Sequence, residues 1–128
     1  MKLVYFISPV GSDPQYSTKR EVLSAVASGQ DFEFFFPLDR RTPFSVEVAT
    51  QDLRKSWLAI ADLSLERPSC YFEVGLAQGV GTPVAFIAAE GAALHQAGGT
   101  GSILRYSNLG TYRASILELL AQRKRDDA

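Results

Sequence analysis

The chain has 128 residues, 46% hydrophobic and 21% charged, the proportions of a soluble globular protein built around one core. Thirteen Lys and Arg against fourteen Asp and Glu leave a net charge of −1, which supplies no overall basic field for duplex nucleic acid. A single cysteine, Cys70, excludes an internal disulfide, and one cysteine with one histidine, His95, argues against a structural zinc site. No apolar run approaches the roughly 20 residues that span a bilayer, and the apolar start at residues 3–7 is too short for a signal peptide. The expectation is a soluble, cytoplasmic protein, with one domain over residues 1–122 and a frayed charged tail at 123–128.

Taken in chain order, the apolar segments alternate in kind. Residues 3–7 (Leu-Val-Tyr-Phe-Ile) form a short continuous apolar run, as suits a strand buried on both faces. Residues 17–27 read as a helix capped by Ser17, with Val22, Leu23 and Val26 as its apolar stripe and Gly29 as its stop. Residues 32–36 are aromatic and stop at Pro37, a second strand. Helical spacing returns over 45–55, and residues 57–61 make a third strand that ends at Asp62. A helix over 70–80 follows Pro68, and residues 83–88 form a fourth strand. After a loop of small residues at 90–101 come a short strand at 103–106 and a last helix at 111–123.

Strand and helix alternate throughout, which predicts an α/β fold: a flavodoxin-like or Rossmann-like open parallel five-stranded sheet, order 2-1-3-4-5, with helices on both faces. In such sheets ligands bind at the carboxyl ends of the strands. That rule selects residues 5–11, 37–41, 62–73 and the segment from 89 onward. No Gly-Lys-Ser/Thr phosphate loop occurs, so nucleoside triphosphate hydrolysis is not expected. A receiver-type phosphoacceptor domain would need an acidic cluster after the first strand, where this chain has Ser8-Pro9-Val10.

The most informative stretch is Ala61-Asp62-Leu63-Ser64, a polar turn, then Tyr71-Phe72-Glu73-Val74-Gly75-Leu76-Ala77. A buried strand ends in a carboxylate, and Glu73 falls in or near the first turn of the next helix, where the macrodipole favours an ionised carboxylate. Such a group can act as a nucleophile or stabilise a cationic transition state; it can equally be an ordinary first-turn acid. Gly75 and Gly79, on neighbouring turns, read as sites of close helix packing. Asp62 can bind a sugar hydroxyl or cap the loop after its strand. Cys70 at the helix start could carry a lowered pKa, or simply pack in the core.

These segments resemble the nucleoside 2-deoxyribosyltransferase family, which includes nucleoside monophosphate N-glycosidases and shares its architecture with TIR-type NAD-cleaving domains. The similarity extends to Val4-Tyr5-Phe6-Ile7-Ser8-Pro9 and to Gly79-Val80-Gly81-Thr82-Pro83-Val84. The resemblance implies cleavage or transfer at the N-glycosidic bond of a nucleoside or nucleoside monophosphate, with Glu73 as the nucleophile and no cofactor. It implies an upstream aspartate as acid, for which Asp52 is preferred over Glu47; a solvated helix charge is the other reading of Asp52. Tyr5 and Ser8 match the family's contacts to sugar or phosphate, although Tyr5 could instead be a core aromatic. Gly11, in the small polar stretch 8–12, could receive a phosphate on backbone amides.

One departure bears on the substrate. The transferases place a second aspartate six residues before the nucleophile, where this chain has Arg67, and the monophosphate hydrolases place a small hydroxyl residue there, with Ser69 lying two residues later. Arg67 and Ser69 beside a helix N-terminus would make an anion pocket, which favours a phosphorylated substrate; Arg67 can also be a solvated loop cation. Asp39, Arg40 and Arg41 follow the second strand at the crevice side; Asp39 is a candidate substrate contact, and both arginines could reach a phosphate or a base or merely be solvated. His95 has no partners at ligand spacing and reads as a bystander. The alternatives are a TIR-like NAD glycohydrolase and a non-catalytic nucleotide-binding sensor. A homodimer or higher homo-oligomer is expected, using Tyr16, Phe44, Trp57, Tyr71 and Phe72 where they are exposed.

Overall fold

β1 (Lys2–Ile7) is an interior strand of the sheet. It pairs in parallel with β2 (Phe32–Phe35) on one side and with β3 (Leu58–Asp62) on the other. β4 (Val84–Ala89) and β5 (Ile103–Tyr106) extend the sheet beyond β3, so the order is 2-1-3-4-5 with every pair parallel, as the alternation of elements predicts. The computed structural model describes residues 1–39, 43–94 and 103–127. Arg40, Arg41, His95 and the glycine-rich segment at 98–101 lie outside the described residues.

The two-residue period of β1 divides the core. Val4 and Phe6 point to one face, where they pack with Leu23 and Val26 of α1 (Tyr16–Ala27) and with Ile116 and Leu120 of α4 (Leu109–Asp127). Tyr5 and Ile7 point to the other, against Leu53 of α2 (Val46–Lys55) and Cys70, Val74 and Ala77 of α3 (Pro68–Gly79). Both faces of β1 and β3 are therefore covered, which is why these strands read as unbroken apolar runs. No described helix is long and apolar enough to cross a membrane.

Element ends differ from expectation where side-chain chemistry decides them. Ser17 is not the cap of α1 but its second residue; the chain turns earlier because Asp13 Oδ1 accepts the Gln15 amide at 2.9 Å, just before Pro14. α2 is capped by Ser45, whose hydroxyl oxygen accepts the Val48 amide at 3.3 Å. α3 begins at Pro68, which occupies the first helical position, where a missing N–H costs nothing.

The charged end expected to fray is helical to Asp127. Arg123 Nε donates to the Trp57 carbonyl at 2.8 Å, and the Trp57 indole donates to Asp127 at 3.0 Å, which ties the last turns of α4 to the start of β3. Gly75 and Gly79 are also a correction. Both are exposed, and a Cβ at either would meet no atom within 4 Å, so close packing within this chain does not explain them.

Candidate active site

The chain leaves β1 through Ser8-Pro9-Val10-Gly11-Ser12 and leaves β2 through Pro37–Asp39, while α3 opens opposite with Arg67 and Pro68. These three segments surround a cavity of about 820 Å³ at the carboxyl ends of the neighbouring strands β1 and β2. The sequence candidates Ser8, Gly11, Arg67, Ser69 and Glu73 all line it. Its apolar wall comes from Phe6, Phe36, Leu38, Phe44 and Phe72, with Tyr16 adding a ring and a hydroxyl. Phe44 and Phe72, both about half exposed, meet edge to face at 6.0 Å between centroids.

Glu73 lies in the second turn of α3 rather than the first, so the terminal amides of the helix do not hold its charge. A different group does. The Tyr5 hydroxyl, from a side chain fully buried in β1, donates to Glu73 Oε2 at 2.8 Å. Burial pushes the Glu73 carboxyl above the ordinary glutamate range, and the Tyr5 bond draws it partly back. This corrects the expectation of a dipole-stabilised anion: burial disfavours the charged form of Glu73, and the Tyr5 hydroxyl is what offsets it. Tyr5 itself does not line the cavity; it acts through Glu73. Among the described residues lining the cavity, Glu73 is the sole carboxylate.

No family model and no curated protein matches this sequence. Solved structures do match. A 2-deoxyribosyltransferase from Leishmania mexicana aligns over 92% of this chain and 98% of its own, with a TM-score of 0.64 and 20% identity. A CMP N-glycosidase from Clostridium botulinum aligns over 90% of this chain and 98% of its own, with a TM-score of 0.61 and 16% identity. The chain has the fold of these two enzymes. The resemblance carried by the strand ends and by the Glu73 segment thus holds at the level of architecture across nearly the whole chain.

Within this deoxyribosyltransferase fold the other candidates fall elsewhere. Asp52 is buried on α2, and neither it nor the exposed Glu47 lines the cavity. Asp39 sits outside the lining and accepts a two-pronged hydrogen bond from Arg20, at 3.0 and 2.9 Å, while the Arg20 guanidinium stacks on Phe36 at 3.6 Å from the ring centroid. Asp39 thereby braces the cavity wall from behind. Asp62 is 1% exposed and is not among the described residues lining this cavity. Its Oδ1 accepts the Ser64 amide at 3.1 Å, so the loop-capping reading of this residue is the one observed. Burial pushes the Cys70 thiol up to about 11, and its neighbours Glu73 and Asp62 add to the effect, so Cys70 is a core residue rather than an activated thiol.

Sequence reasoning missed one assembly entirely. Lys19 of α1, 7% exposed, donates to Asp13 Oδ2 at 2.7 Å and to the Tyr106 hydroxyl at 2.8 Å, and lies 3.5 Å from Asp62 Oδ2. Tyr106 in turn donates to Asp62 Oδ2 at 2.8 Å. Burial alone would lower the Lys19 pKa, but its bonds to Asp13 and Tyr106 and the Asp62 charge outweigh that and carry it above the ordinary lysine value.

Proposed function

We propose that this chain cleaves the N-glycosidic bond of a nucleoside monophosphate, with Glu73 as the nucleophile. One observation carries the reading: a single carboxylate, gripped by a buried tyrosine hydroxyl, on the wall of a cavity of about 820 Å³ whose other polar lining is hydroxyls and a guanidinium. A cavity of that size suits a nucleotide. The fold it shares with a 2-deoxyribosyltransferase and a CMP N-glycosidase supports glycosidic chemistry, and the second of these acts on a monophosphate.

With Oε2 held by Tyr5, Glu73 Oε1 attacks the anomeric carbon. The bond from that carbon to the base nitrogen breaks, its electron pair leaving with the base, which takes its proton from water. The oxocarbenium-like transition state is cationic, and a fixed carboxylate stabilises it. Water then opens the glycosyl ester and restores Glu73; a second base in place of water would make the same intermediate a transferase. Phe36, Phe44 and Phe72 offer ring faces and edges to the base. Ser8, Ser12, Arg67 and Ser69 take the phosphate. A second copy of the chain closing over Phe44 and Phe72 is part of this proposal, to be read from sedimentation.

A second reading is favoured by the lone carboxylate. A purine or pyrimidine leaving as an anion needs a proton, whereas a pyridinium base departs neutral without one. Nicotinamide mononucleotide and NAD therefore belong in the substrate panel. The deciding experiment incubates the protein with nucleosides, nucleoside monophosphates, nicotinamide mononucleotide and NAD, and reads free base by chromatography. Base released from monophosphates supports the main reading, nicotinamide alone the second, and tight binding without product a sensor.

Two predictions follow from the site. Arg67→Ala is expected to raise KM for the monophosphate roughly ten- to a hundredfold, the worth of one or two charge-assisted hydrogen bonds, and to leave KM for the bare nucleoside nearly unchanged. Equal changes for both substrates would remove Arg67 from the phosphate. Tyr5→Phe deletes the one contact that lowers the Glu73 pKa. Because the nucleophile must be ionised, the acid limb of the pH–rate profile is expected to move to higher pH, with kcat at the plateau changed far less. A limb that stays in place would show that Tyr5 does not govern Glu73.

A further inference from the structure

The loop at 8–13 and the turn at 62–67 meet the cavity from different strands, and both are anchored below it by the same ammonium. Asp13, at the end of the first segment, takes the shortest Lys19 contact, 2.7 Å. Asp62, at the start of the second, lies 3.5 Å from the same nitrogen and shares the Tyr106 hydroxyl with it. Asp62 Oδ1 also accepts the Ser64 hydroxyl at 2.5 Å, and Ser64 Oγ accepts the Ala89 amide of β4 at 2.7 Å. The rings of Tyr106 and Tyr112 face the ammonium at 4.9 and 5.4 Å. A void of about 10 Å³, room for about one water, is bounded by Asp13 and Lys19 and also by Ser8, Tyr16 and Phe36 of the cavity wall. The cluster therefore backs directly onto the site.

One buried and one partly buried carboxylate, Asp62 and Asp13, against one ammonium is an arrangement whose loss would leave charge unpaired on both segments at once. The turn it fixes is itself held in an uncommon conformation: Glu66, one residue before Arg67, has φ +47°. Glu66 is held there by its own amide, which donates to the Leu63 carbonyl at 3.0 Å, and by the Tyr71 hydroxyl, which donates to its carboxylate at 3.1 Å.

We propose that Lys19 is a positioning residue for the cavity: its ammonium locks the 8–13 loop and the 62–67 turn to each other and thereby sets the spacing between Ser8 and Ser12 on one side and Arg67 and Ser69 on the other. The consequence for a phosphate rests on the monophosphate reading above; the locking of the two segments does not.

The test uses the full chain and has two arms. In the first, amide hydrogen exchange is followed by NMR in wild type, Lys19→Met and Asp13→Asn. Gln15, Ser64 and Ala89 report, since each donates to Asp13, Asp62 or Ser64. Lys19→Met is expected to speed all three amides together by about tenfold or more relative to amides of β1. Asp13→Asn leaves one carboxylate for the ammonium and is expected to speed Gln15 while Ser64 and Ala89 stay protected; it carries this arm if Lys19→Met does not fold. In the second arm, Lys19→Met is expected to raise KM for the monophosphate about tenfold with kcat within about twofold and the bare nucleoside unaffected.

Exchange that rises uniformly across the sheet, or in Gln15 alone for Lys19→Met, overturns the proposal, as does an unchanged KM in a variant whose segments are loosened. A wild-type protein that releases no base from any substrate overturns the functional reading instead, and the exchange arm then decides Lys19 by itself.

Discussion

Glu73→Gln is expected to lower base release by about a thousandfold or more, the scale of removing a covalent nucleophile, while the variant melts at or above the wild-type temperature. Both halves come from the same side chain. The amide cannot form the glycosyl ester, yet it keeps the shape of the carboxyl and can still accept the Tyr5 hydroxyl that reaches Oε2 at 2.8 Å. The stability half follows from the raised pKa, whose first cause is burial. Between the ordinary glutamate value and the raised one, the folded chain holds a proton that the unfolded chain has lost, so stability falls as pH rises through that window. Above it the wild type carries an ionised, partly desolvated carboxylate that Glu73→Gln does not. The gap in stability between the two proteins should therefore widen from acid toward neutral pH and then level off. Retained turnover in a folded Glu73→Gln protein would end the nucleophile assignment, and a marked loss of stability at neutral pH would mean that the carboxylate is held by more than Tyr5.

How far this site can be read from sequence is shown by two charged residues in apolar stripes. On α3 the buried positions are Cys70, Val74 and Ala77, and Glu73 falls in the same i, i+3, i+4, i+7 pattern. On α1 the buried positions are Lys19, Leu23 and Val26, again with a charge in the stripe. A charge on a core-facing stripe needs a partner, and that signal was present for both. Glu73 stands out because a family-like segment surrounds it; Lys19 does not, because its partners, Asp13, Asp62 and Tyr106, are scattered over more than ninety residues and meet only through the order of the strands. The strand order itself was legible, since alternation, crossover handedness and the continuous apolar runs of β1 and β3 leave few arrangements. The partner of Glu73 was half legible: Tyr5 was a candidate, but as a substrate contact, because the sequence does not say that its ring lies in the core with the hydroxyl just reaching the cavity wall. Asp62 stays open between a sugar contact and a loop cap for the same reason. A carboxylate that ends a strand at the ligand-binding edge points as readily into the loop beneath the site as into the site itself.

Asp62→Ala is expected to have the largest effect on stability, a loss of roughly 3–5 kcal/mol, the usual result of breaking a buried ion pair from one side. The carboxylate is 1% exposed and serves the Ser64 amide, the Ser64 hydroxyl, the Tyr106 hydroxyl and the Lys19 ammonium. Alanine leaves these donors buried without that acceptor. Against a total of about 5–15 kcal/mol for a domain of ordinary stability, such a loss is large. Asp39→Ala is the instructive control. Its two-pronged pairing with Arg20 is geometrically the better salt bridge, but the Asp39 side chain is 57% exposed, so water already competes for it and the expected cost is about 0–1 kcal/mol. Urea unfolding of the three proteins reads the difference as a fall in midpoint for Asp62→Ala with an unchanged slope. A substrate-binding Asp62 predicts the opposite pattern, a stable protein that has lost its turnover. The two patterns cannot both occur, and burial decides in advance which to expect: a side chain sealed under the strand ends can hold the loops of the site together, but it cannot touch what enters it.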